Sequence, residues 1–186
     1  MATKKFTKYD ELQMEVYKQQ KREETIKTYK ELGWPEMEGT PAQVVWAMDL
    51  KIKLYEHFVI NQYFLTKDNL LSVFGKEYAN RFKQDIPIPQ ETMDEYIDIL
   101  INYTKSWDII KYAKYNIKYN KSYVLLKLVQ QKMTDDFYAE KKLKKEAEQK
   151  LVKDLLDKGL KVKEVAQQTG FTTSKVYKIR AEIKKL

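Results

Sequence analysis

The chain has 186 residues, of which 43% are hydrophobic and 13% aromatic, enough to bury a real core in one domain or one domain with a small appendage. Only 5 Gly and 4 Pro argue for long helices over a turn-rich β architecture, so an all-α fold is expected. The absence of cysteine and the single histidine, His57, exclude disulfides, thiolate metal sites and multi-histidine metal centres.

The opening MATKKFTKYDELQ has no apolar core of the kind a signal peptide needs, and no apolar run approaches the ~20 residues of a bilayer span. A soluble cytoplasmic protein without membrane contact is expected. Net charge is +8, and its position is more informative than its size. From Glu140 to Leu186 there are 14 Lys and Arg against 7 Asp and Glu, so this stretch holds +7 of the total. That is the distribution a phosphate-binding surface requires.

Taken in order, Lys8–Leu32 reads as a helix with Leu12, Val16, Ile26 and Tyr29 as its apolar positions, either half-exposed or packed along another element by a thin stripe. Gly33-Trp34-Pro35 stops it. Thr40 is a good N-cap and Pro41 fits a first helical turn, predicting a helix over Pro41–Leu65. Its apolar surface is the broadest in the chain, which makes it the central helix of an N-terminal domain. Thr66 or Asp68 caps the next segment, Lys67–Lys83, which Gly75 splits. Asp85–Pro89 holds two prolines and is an extended connector. Gln90–Asn116 reads as one helix. A long helix follows from about Ser122 to Lys158, with Asp135-Asp136 as a candidate break. Its later apolar positions, Leu143, Ala147, Leu151 and Leu155, form a single stripe in a charged surround.

The final stretch, Leu151–Leu186, has the form of a helix-turn-helix. Ala166 is the small residue over which a second helix crosses, and Gly170, four residues later, makes the turn. Val162, Val165, Phe171, Val176 and Ile179 form the core, closed by Leu151, Leu155 and Leu156. Thr172 or Thr173 caps the last helix. Outward-facing residues are Thr172, Thr173, Ser174, Lys175, Tyr177, Lys178 and Ala181, with Arg180 and Lys184 on the flank; Lys161 and Lys163 are further DNA-binding candidates.

The segment GLKVKEVAQQTGFTTSKVYKI resembles the C-terminal helix-turn-helix of the resolvase/invertase recombinases, and of many small bacterial regulators and transposases. Gly170, Phe171, Thr172 and Val176-Tyr177-Lys178 occupy the places of that pattern. The resemblance covers about the last 30 residues and implies DNA contacts from Thr172, Thr173, Ser174, Tyr177 and Lys178. It does not extend to the recombinase catalytic domain, and no recombinase activity follows.

The expected organisation is therefore a helical domain over Met1–Phe137 for dimerisation or partner binding, a charged helical linker over Tyr138–Lys150, and a wingless trihelical helix-turn-helix over Leu151–Leu186. The function it implies is sequence-specific binding of double-stranded DNA by a homodimer, as a bacterial, phage or plasmid transcriptional regulator. Alternatives are an accessory factor in replication, partition or packaging, and a protein-interaction module such as a phage-encoded inhibitor of a host protein. No enzyme, catalytic residue, metal or cofactor is expected. His57 reads as a buried, hydrogen-bonded histidine. Tyr112, Tyr115, Tyr119 and Tyr123, interleaved with lysines, read as core or interface in preference to a surface that stacks single-stranded nucleic acid.

Overall fold

Thr40 and Gln43 start the helix around which the first part of the chain is built. The extended Thr40 accepts the Gln43 amide through its hydroxyl, and Gln43 Oε1 accepts the Thr40 amide at 3.1 Å, closing a reciprocal cap. The computed structural model describes residues 8–82 and 87–184. Regular secondary structure among them is entirely helical; the one extended pairing is a parallel bridge between Glu38 and Lys105. The chain divides into two units, residues 1–132 and 133–186.

In the first unit, α1 (Lys8–Glu31) packs against α2 (Pro41–Tyr55), with Thr25 and Tyr29 buried in its last two turns. Leu12 and Val16 are exposed, so this part of α1 fits the half-exposed reading and not the packed stripe. The expected run of α2 to Leu65 is shorter. One π-helical turn, Glu56–Ile60, follows Tyr55, and the backbone then leaves the helix with Gln62 at φ 50°. Thr66 must be extended to cap α3 (Lys67–Phe74) through a second reciprocal cap with Asn69, and Asn61–Leu65 makes the connection. Gly75, at φ 81°, separates α3 from the short α4 (Lys76–Ala79). Lys83, the expected end of this segment, and the connector residues Asp85 and Ile86 lie outside the described residues. Ile88 is buried, and its amide donates to Leu65 O at 2.8 Å.

The helix expected over Gln90–Asn116 is two, α5 (Gln90–Asn102) and α6 (Ser106–Ala113). A distant segment makes the break. Glu38 N donates to Thr104 O at 2.8 Å and Ser106 N donates to Glu38 O at 3.2 Å, which holds Tyr103–Lys105 extended. The helix α7 (Lys121–Asp157) then runs without interruption, Asp135-Asp136 included. Its first turns belong to the first unit, where Val124, Leu125, Leu126, Leu128 and Val129 are fully buried. From Phe137 to Ala147 every residue is exposed.

A buried lysine ties the first unit together. Lys51, on α2, is 0% exposed. Its ammonium donates to Tyr29 Oη at 3.0 Å, Ile101 O at 2.7 Å and Tyr103 O at 3.1 Å, and lies against the Tyr29 and Trp34 rings. Tyr29 in turn donates to Pro35 O at 2.9 Å. One side chain thus joins α1, α2, the 34–38 segment and the end of α5. Burial pulls its pKa down to about 7 and pushes that of Tyr29 up to about 12.

The second unit holds the end of α7, α8 (Val162–Thr169) and α9 (Thr173–Ile183), enclosing one core of Val152, Val162, Val165, Ala166, Val176 and Ile179. Leu155, Leu156, Leu160, Phe171 and Ile183 pack around it. Leu151, expected in that core, is 45% exposed, and Leu143 is exposed as well. Val152 occupies the place, because the face α7 turns toward α8 and α9 lies one residue further on. No helix among the described residues is long and apolar enough to cross a membrane.

Candidate nucleic-acid interface

The geometry of the second unit begins at its turn. Gly170 ends α8 in the left-handed conformation, φ 71°, where a side chain would be strained. Thr169 Oγ1 donates to Val165 O at 2.8 Å and accepts the Phe171 amide at 3.3 Å, fixing both sides of the glycine. Thr172 is extended and accepts the Lys175 amide at 3.2 Å, so Thr172, and not Thr173, is the N-cap of α9.

From that start the helical repeat sorts the side chains of α9. Val176, Ile179 and Ile183 recur at spacings of three and four and turn inward. Thr173, Ser174, Tyr177, Lys178 and Ala181 fall on the opposite side and are exposed, as is the cap residue Thr172. Arg180 is exposed on the flank, and Lys161 and Lys163 at the start of α8 are exposed too. A surface groove brings Lys161, Lys163, Tyr177 and Arg180 together beside Gly159 and Leu160. Lys161 is itself the N-cap of α8, and its amide donates to Glu164 Oε2 at 2.6 Å.

Lys175 differs from its neighbours. It is half-buried, its ammonium sits 4.0 Å from the centre of the Phe171 ring, and it pairs with Glu148 of α7 at 2.7 Å. A second contact ties α9 to the same stretch of α7, where Lys145 and Gln149 donate to Glu182 at 3.0 and 2.9 Å. The Lys145 hydrogen bond foremost, with Gln149 and the charge of Lys178, holds the Glu182 carboxyl below the usual carboxylate range. Sequence reasoning placed Lys145, Glu148 and Gln149 in a linker and missed these contacts. The available signal was complementary charge on α7 and α9.

Elsewhere His57 is half-buried and held by rings, stacked on Tyr63 at 4.4 Å and edge-on to Phe58 at 4.9 Å. Burial, with the charge of Lys121, lowers its pKa. Among the described residues no group of three or more His, Cys, Asp or Glu side chains is placed to hold a metal ion. Tyr112 and Tyr123 are half-buried, with Tyr112 donating to Gln131 at 2.9 Å, but Tyr115 and Tyr119 lie on the surface, which corrects the core half of the core-or-interface expectation. Comparisons with protein-family models, with curated proteins and with solved structures find no match to this chain.

Proposed function

We propose that the chain is a sequence-specific double-stranded DNA-binding protein whose second unit acts as a helix-turn-helix, with α9 entering the major groove. The observation that carries this reading is the exposed row Thr173, Ser174, Tyr177 and Lys178 on a short helix fixed by a left-handed glycine turn and a three-helix core. Hydroxyls and a lysine at the start of such a helix suit base edges and phosphates. Exposed Lys161, Lys163 and Arg180 beside them suit the flanking backbone. Lys175 contributes less than its position suggests, since Glu148 already neutralises it.

A recognition unit this small makes few phosphate contacts, so two copies on half-sites about one helical turn apart are the natural assembly. A transcriptional regulator is the role that fits best. Selection of duplexes from a random pool by the full chain tests the reading. A consensus should emerge whose affinity falls steeply with salt, and Tyr177→Ala and Lys178→Ala should each weaken it, by about 1–3 kcal/mol where the side chain reads a base. Failure to enrich any sequence, or affinity indifferent to both variants, would overturn it. Sedimentation with and without the selected duplex tests the two-copy assembly.

A further inference from the structure

We propose that the exposed face of α6 and the turns after it is a second nucleic-acid surface, one that binds single-stranded DNA by stacking bases on Tyr115 and Tyr119. Beyond the end of α6 the backbone continues through Tyr119 as a series of hydrogen-bonded turns. Lys114 N donates to Ile110 O at 2.9 Å, Ile117 N to Ala113 O at 2.9 Å and Asn120 N to Asn116 O at 2.7 Å. Ile109, Ile110 and Ala113 are thereby turned into the core. Trp107, Lys111, Lys114, Tyr115, Lys118 and Tyr119 are turned out, and the three rings are 64%, 73% and 80% exposed.

Each exposed tyrosine carries an ammonium against its ring, Lys114 at 5.0 Å from the centre of Tyr115 and Lys118 at 5.5 Å from that of Tyr119. The charge is all of one sign: between Ile109 and Thr134 there are six lysines and no carboxylate. Asp108, just before this stretch, accepts the Tyr103 hydroxyl at 2.7 Å. Polyanions differ in how they use such a face. A duplex satisfies the lysines but has its base faces already stacked. An anionic bilayer takes up such a face by inserting a broad apolar surface of Trp, Phe and Leu, and this row offers Trp107 alone. A single strand uses both features, phosphates on the ammonium groups and bases on the open ring faces. The surface belongs to the first unit and the proposed duplex reader to the second; only the choice of DNA over RNA rests on that reading.

The test is fluorescence anisotropy of the full chain with a labelled oligo-dT of about 20 nucleotides. Tyr115→Ala and Tyr119→Ala should each reduce affinity by about 5-fold or more, with Tyr115→Phe and Tyr119→Phe close to the parent. Lys114→Ala with Lys118→Ala should flatten the salt dependence. Duplex binding should survive the tyrosine variants, and oligo-dT binding should survive Lys178→Ala, so a failed duplex reading leaves this result standing. No oligo-dT binding, or binding unchanged in the Tyr115→Ala/Tyr119→Ala double variant, overturns the proposal. So does tighter binding of oligo-U, or binding of phosphatidylserine vesicles in place of oligo-dT.

Discussion

Lys51 makes the stability of the first unit depend on pH in an unusual direction. The side chain is fully buried and its pKa is pulled from 10.5 to about 7. Between those values the unfolded chain binds a proton that the folded chain does not, so stability must rise with pH. The contribution is complete above pH 10.5, is lost as pH falls toward 7, and is constant below that. The slope approaches 1.4 kcal/mol per pH unit in the middle of the window. Going from pH 7 to pH 9 therefore gives about 2 kcal/mol. The three oxygens and two ring faces around the ammonium favour the charged form, so this figure is a ceiling. Urea unfolding at pH 7, 8 and 9 measures it, below the range where Tyr29, raised to about 12, begins to ionise. Lys51→Met is the control. It removes a buried charge but leaves Ile101 O and Tyr103 O without their donor, each worth about 1–3 kcal/mol, so its absolute stability decides nothing. Its pH slope does. A parent midpoint that stays flat from pH 7 to 9, or an equal slope in the methionine variant, refutes the reasoning.

The second unit gives three sharper tests by substitution. Val152→Ala should cost about 2 kcal/mol in urea or thermal unfolding while Leu151→Ala costs little, because only Val152 is enclosed. Thr172→Ala should cost about 1 kcal/mol through loss of the Lys175 cap bond, with Thr173→Ala near neutral. Gly170→Ala should cost about 1–2 kcal/mol, since its left-handed φ is strained for alanine although no atom lies within 4 Å of the added Cβ; a neutral result would show that the turn relaxes.

Local rules were legible in the sequence and long-range ones were not. Thr40, Gly170 and Thr172 behave as their residue types dictate, because a cap or a left-handed turn is decided within four residues. The same holds for the inward set Val176 and Ile179, which helical spacing alone separates from Tyr177 and Lys178. Leu151 was misplaced because a stripe repeating every four residues does not say which way the helix is rotated; its packing partners do. The break between α5 and α6 follows from backbone bonds to Glu38, more than sixty residues away. Lys51 gave no warning, since burying it depends on carbonyls that only the end of α5 presents. Tyr115 and Tyr119 read as core or interface on composition, and the backbone turns them out of the core.

The exposed middle of α7 has a consequence for how the molecule opens. From Phe137 to Ala147 every residue is exposed, and the helix is held by its own hydrogen bonds, intrinsic helicity, pairs such as Lys142–Glu146 and the Lys145–Glu182 contact to α9 near its end. Amide hydrogens there should exchange with solvent by local opening, at a free energy well below that protecting Val124–Val129 or Val152. Four lysines between Lys141 and Lys145 give trypsin its sites in this same stretch. A brief digest of the native protein should therefore cut there first and leave two fragments, each retaining a buried core.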